Sequence, residues 1–163
     1  MALDTTVGGA SADSYASLAQ AATYHAALGH TTWVATNSEV QEQKLRLATQ
    51  YLDSRHNWRG VKVAQTQALD WPRSGVVVDG YTLASDAIPV ALRNACCELA
   101  YKALTVDLFA DADAQYVESV TVGPISRKLS APRNGGQKRF AVVDSLLRDL
   151  VRGGGASVEL VRA

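Results

Sequence analysis

Leu92, Ala95, Cys96, Leu99, Ala100, Ala103 and Leu104 recur at the period of an α-helix. Such a stripe must be buried against other elements, so this segment predicts a central core helix and a domain built around it. Pro89 fits its first turn, where a missing N–H costs nothing. The neighbouring segments supply helices to pack on it. Ser17-Leu18-Ala19-Gln20 reads as a capping box, with an alanine-rich helix running to about Leu28 and Gly29 ending it. Ser38-Glu39-Val40-Gln41 reads as a second box. The helix behind it extends to about Arg55, with Val40, Leu47, Ala48, Tyr51 and Leu52 on one face and the Glu42–Arg46 pair on the wet side. A last helix spans about Ala141 to Arg152, turning Val143, Leu146, Leu147 and Leu150 inward.

Between these helices the pattern changes. The first dozen residues are small and polar and read as extended and loosely held, and Trp33 falls on a loop. Val76-Val77-Val78, Asp79-Gly80 and Tyr81-Thr82-Leu83 together form a hairpin signal with a type I′ turn. Val117 to Leu129 is strand-like and broken at Gly123-Pro124, a second hairpin signal. Gly153-Gly154-Gly155 breaks the last helix and leads to a strand-patterned tail. The expected architecture is mainly α: a compact bundle of about four helices, one or two short β-hairpins and an extended C-terminal arm. Residues 1–152 form a single domain and residues 153–163 a hinge and arm; 163 residues suffice for one real core.

Searching for chemistry yields little. Gly135-Gly136-Gln137-Lys138 lacks the spacing and the hydroxyl residue of a phosphate-binding loop, and no G-x-S-x-G elbow occurs. His25, His30 and His56 follow no zinc spacing. Cys96 and Cys97 are adjacent in a helix, their side chains about 100° apart, which suits neither a disulfide nor a metal pair. Asp107, Asp111 and Asp113 lack the glycine and distal glutamate of a calcium loop and read as a solvated connector. The expectation is a protein without enzymatic activity or cofactor. No apolar run of about 18 residues and no secretory signal are visible, so no membrane association is expected, and synthesis in a reducing bacterial cytoplasm is.

Charge is balanced overall, 16 basic residues against 16 acidic, but unevenly placed. From Thr121 onward eight basic residues face three acidic ones, a net of +5, which leaves −5 on residues 1–120. Arg127, Lys128, Arg133, Lys138 and Arg139 form the densest basic stretch, suited to DNA phosphates or to an acidic neighbouring subunit. Trp58, Trp71 and Tyr81 lie on irregular segments. They either stack on bases or, the favoured reading, pin a long loop to the helices.

Read in order, Ala12-Asp13-Ser14-Tyr15, Tyr24, Ala48-Thr49-Gln50-Tyr51-Leu52-Asp53, Trp58-Arg59-Gly60, Gln67-Ala68-Leu69-Asp70-Trp71-Pro72-Arg73-Ser74-Gly75, Asp79-Gly80, Ile88-Pro89 and Val122-Gly123-Pro124-Ile125-Ser126 form a set, followed by the helix with Val143, Asp144, Leu146 and Leu147. The set resembles a family of tailed-bacteriophage proteins, the head–tail connectors or neck adaptors. Some members carry the label DnaT-like single-stranded-DNA-binding protein. The resemblance implies a structural adaptor at the neck of the virion. Its subunits would form a ring, typically of twelve copies, beneath the portal protein. That ring would extend the channel through which double-stranded genomic DNA passes and would link the capsid to a downstream tail or neck protein. It also implies that a C-terminal segment reaches into the portal, a role that falls here on Ser157, Val158, Glu159, Leu160, Val161 and Arg162. Binding of single-stranded DNA is the alternative expectation.

Overall fold

The computed structural model describes residues 2–110, 119–122, 125–128 and 139–152. Among them are five helices, α1 (Leu18–Ala27), α2 (Thr31–Ala35), α3 (Ser38–Arg55), α4 (Val90–Lys102) and α5 (Ala141–Leu147). Three two-stranded antiparallel sheets accompany them: β1 (Val61–Lys62) with β2 (Arg73–Ser74), β3 (Val77–Val78) with β4 (Tyr81–Thr82), and β5 (Ser119–Val122) with β6 (Ile125–Lys128). The fold is mainly α with short hairpins, as the periodicity implies.

Helix α4 sits at the centre, packed against α1, α3 and α5. Leu92, Ala95, Cys96, Leu99, Ala100 and Ala103 are buried along it, and Leu45, Ala48, Leu52, Val143 and Leu147 close over them. Burying a side chain of this size stabilises by about 1.5–3 kcal/mol, so the stripe alone explains why these helices assemble. Both cysteines are free and buried. The Ser17 capping box is present in both directions, Gln20 N–H to Ser17 Oγ at 3.2 Å and Ser17 N–H to Gln20 Oε1 at 3.0 Å. Gly29, at φ 70, follows α1.

Several boundaries differ from the sequence expectation, each for a local reason. Trp33 lies inside the short helix α2, its ring fully buried, rather than on a loop. The cap of α3 is Asn37, whose side chain accepts from Glu39 N–H at 2.8 Å; Gln41 donates instead to the Trp33 carbonyl at 2.6 Å, so the second capping box does not form. Val40 is accordingly exposed. Helix α5 ends at Leu147, because the chain beyond it pairs with another segment: Arg152 N–H donates to Asn57 O at 2.7 Å and Val151 bridges Trp58. The N-terminal residues are not loose. Asp13 N–H donates to Asp4 O at 2.9 Å, Asp4 N–H donates to Asp13 Oδ1 at 2.9 Å, and Asp13 pairs with Arg46 at 2.6 Å. The turn of the 77–82 hairpin has positive φ at Asp79 (50°) and Gly80 (83°), as a type I′ turn requires. Strands β5 and β6 pair from Ser119↔Lys128 to Val122↔Ile125, as the second hairpin signal implies. The arm at 153–163, with the boundary proposed there, lies outside the described residues.

One carboxylate ties three segments together. Asp53, near the end of α3, accepts from the Tyr15 hydroxyl and from Asp70 N–H at 3.2 Å, while Tyr15 Oη also accepts from Trp71 N–H at 3.3 Å. Burial raises the Asp53 carboxyl to about 6 and pushes the Tyr15 hydroxyl well up. Burial, then the neighbouring His30, lowers His25 to about 4.

The two groups tilt stability in opposite directions. The raised Asp53 value stabilises fully below the ordinary carboxylate range, and that contribution is lost as pH rises through about 6. The lowered His25 value stabilises above the ordinary imidazole range, and that contribution is lost as pH falls toward about 4. Asp53→Asn removes only the first. Urea unfolding at stepped pH should show the variant gaining stability from pH ~4 to ~6 more steeply than the parent, by about 1–2 kcal/mol across the window. Parallel profiles would contradict the assignment.

Candidate nucleic-acid interface

The irregular stretch between α3 and α4 is organised by side chains that bond to backbone. The buried Gln67 amide accepts from Val63 N–H at 3.1 Å and Ala64 N–H at 3.0 Å. It donates to Leu69 O at 2.9 Å and Pro72 O at 3.1 Å. Trp58 and Trp71 meet edge to face at 5.9 Å beneath the stretch, and the Trp71–Pro72 peptide is cis. These contacts are why the tryptophans pin the loop, as the favoured sequence reading has it. Tyr81 does not share that role: it is 78% exposed.

On this frame several cations converge. Arg73 donates through Nε to Arg59 O at 2.7 Å, through Nη1 to Asp70 O at 3.2 Å and through Nη2 to Gly60 O at 2.9 Å. Arg152 donates through Nη2 to the same Gly60 carbonyl at 3.1 Å. Arg59 donates through Nε to Val151 O at 3.1 Å, and its own N–H donates to Leu150 O at 2.9 Å. Lys62 stands nearby in β1, paired with Asp70 at 3.1 Å. Among the described residues no carboxylate lies within ion-pair distance of Arg59, Arg73 or Arg152. Four cations on one small surface thus have a single acidic partner among the described residues.

Gly60 makes the cluster possible. Its φ is +70°, and a Cβ there would stand 2.3 Å from Ser74 O and 2.7 Å from Val76 Cγ2. Only glycine brings the Arg59–Gly60 carbonyls this close to β2, within reach of the Arg73 fork. Arginine suits the task because its planar donors can bond to backbone on one edge and still present charge to solvent.

Three residues of the basic stretch expected from sequence are described. Arg127 and Lys128 lie on β6, opposite Val120 and Ser119. Arg139 is exposed and pairs with Asp144 at 3.0 Å, so its charge is answered within the fold. Arg133, Lys138 and the segment from Ser157 to Arg162 lie outside the described residues. Arg59, Lys62, Arg73 and Arg152 were not singled out as a site by sequence. A signal existed for two of them: in Trp58-Arg59-Gly60 and Trp71-Pro72-Arg73 an arginine follows a buried tryptophan closely, on segments too irregular to be mere helix surface. Their convergence with Arg152, 93 residues from Arg59 and 79 from Arg73, had none. Among the described residues there is no group of three or more potential metal ligands, and no helix is long and apolar enough to cross a membrane.

A family model described as "Putative DnaT-like ssDNA binding protein" matches residues 1–163. No curated protein and no solved structure matches the chain.

Gly60→Ala should destabilise by about 2 kcal/mol or more, through both the left-handed backbone and the clash with Ser74. Gly75→Ala is the matched control. Its φ is +74° but nothing lies within 4 Å of the new methyl, so it should lose only the backbone cost of about 1–2 kcal/mol. Equal urea midpoints for the two variants would show that the close approach at Gly60 does not constrain the fold.

Proposed function

The chain belongs to the family that bears this DnaT-like description, and from that premise we propose that it binds single-stranded DNA through the surface of Arg59, Lys62, Arg73 and Arg152. The observation that carries the reading is the convergence of Arg73 and Arg152 on the Gly60 carbonyl, with Arg59 beside them and, among the described residues, no carboxylate within ion-pair distance of the three arginines. Cations held this way present charge without a flexible search, so less side-chain entropy is lost when a phosphate arrives. Each phosphate they neutralise releases counterions, which supplies affinity without reference to sequence. The protein's 16 acidic and 16 basic residues cancel, so this binding is local and modest rather than that of a strongly basic storage protein.

A second reading has its own support. The ordered motif set resembles phage head–tail connectors, and zero net charge suits a conduit, since a uniformly basic lumen would hold the genome instead of letting it slide. In that reading the chain is a non-enzymatic adaptor in the neck of the virion. It forms a ring of about twelve copies on the portal protein, meets a downstream tail protein on its other side, and has double-stranded DNA passing within. The arm from Ser157 to Arg162 docks on the portal, and the many copies of a ring multiply individually weak contacts. Electron microscopy of the chain mixed with portal, alongside the same mixture with residues 153–163 deleted, separates the readings: rings lost on deletion support the adaptor, and no rings with either chain contradict it.

For the DNA-binding reading, fluorescence anisotropy with a labelled oligonucleotide across salt is decisive. Arg59→Ala and Arg152→Ala should each weaken binding and each reduce the slope of log affinity against log salt by about 0.7. Arg73 is left intact because it holds the loop. Unchanged affinity and slope in both variants would refute the site.

A further inference from the structure

Resting on the single-strand reading, we propose that Tyr81, on the β3–β4 hairpin, is the base-stacking residue of this site, its ring taking the face of a nucleobase whose neighbouring phosphates lie on Arg59 and Arg152. Single-strand binders pair a positive surface with aromatic faces, because every base offers a π-face whatever its identity. Trp33, Trp58 and Trp71 have no face to give: they are 0%, 3% and 1% exposed. Tyr81 is 78% exposed, the largest exposure among the protein's exposed large hydrophobic side chains in the described residues.

Its placement is fixed from both ends. The hairpin root is anchored where Leu83 N–H donates to Val76 O at 2.9 Å, and Val76 is fully buried. The root is also where the arginine cluster begins, since the Val76 side chain is one of the two groups that close on Gly60. The tip is a two-residue turn with positive φ at both residues, which leaves little slack. Val78 pairs with Tyr81, so the ring springs from the same face as Val78, one strand outward from the core. Five peptide steps from Arg73 to Val78 span at most about 18 Å, and Arg73 is bonded to the Arg59 and Gly60 carbonyls that hold the cluster, so phosphates at the cluster and a base on Tyr81 can belong to one short stretch of strand. A ring with two side-chain torsions on a tight hairpin loses little freedom on stacking, which favours tyrosine for the role.

The test compares a thymidine oligonucleotide with an abasic one of equal length, read by anisotropy with the full chain, Tyr81→Ala, Tyr81→Trp and Arg152→Ala. Tyr81→Ala should weaken thymidine binding by about five- to a hundred-fold and leave abasic binding unchanged. Tyr81→Trp should retain or improve it, and Arg152→Ala should weaken both ligands alike. Equal losses on the two oligonucleotides with Tyr81→Ala, or no loss on either while the parent binds, would overturn the stacking role and leave the phosphate surface standing. A parent chain that binds neither oligonucleotide would overturn both.

Discussion

The Asp53 carboxylate is the constraint on which the rest of the molecule depends. It is the point where the N-terminal segment, through Tyr15, and the long irregular segment, through Asp70, are fastened to the end of α3. A carboxylate in such a place has been taken largely out of water, and what offsets the loss is donors on both oxygens. The loop from Asp70 to Arg73 is positioned from there. Asp70 sets Trp71 and Pro72 under the loop, Pro72 O receives Gln67, and Arg73 reaches back to Arg59 and Gly60. The segment between α3 and α4 has two ladders of two residue pairs each, so most of its shape rests on side chains that satisfy backbone groups.

This arrangement links fold to function in one residue. Arg73 is the clip that closes the loop, and it draws the backbone of Arg59 and Gly60 to a place where Arg152, arriving from the end of α5, can bond to the same carbonyl. The positive surface is therefore a consequence of how the loop is closed and not an independent decoration. A surface built this way is small and rigid, and among the described residues its one ion pair is Lys62 with Asp70. It suits contact with a few phosphates, the property on which the single-strand proposal rests.

Much of the fold was legible from the residues. The α4 stripe, the Ser17 capping box and the Asp79-Gly80 turn each rest on a local rule that the surrounding structure does not oppose. The misreadings share a cause: tertiary contacts displaced a local preference. Ser38 lost the cap to Asn37 because Gln41 found the Trp33 carbonyl, and α5 stopped early because Val151 and Arg152 found Trp58 and Asn57. The N-terminal residues read as loose because Asp4 and Asp13 are ordinary polar residues until each closes on the other. The candidate site was legible only in fragments. The motif residues that carry the family resemblance, Asp53, Gln67, Asp70, Trp71 and Arg73, prove to be the fastenings of the loop, so they speak of architecture more than of a binding surface. The dense basic run from Arg127 to Arg139 is visible in the sequence as a run, whereas Arg59, Lys62, Arg73 and Arg152 are brought together only by the fold.

The central claim is that Arg59 and Arg152 present their charge to DNA from a frame that Arg73 holds. The most direct measurement is an NMR titration that follows the arginine Nε–H signals as an unlabelled thymidine oligonucleotide is added. The account predicts that the Arg59 and Arg152 signals shift in a saturable, salt-sensitive way, while Arg73, committed to backbone carbonyls through Nε, Nη1 and Nη2 together, moves little. Saturable binding with those two signals unmoved, and shifts confined to arginines elsewhere in the chain, would contradict it.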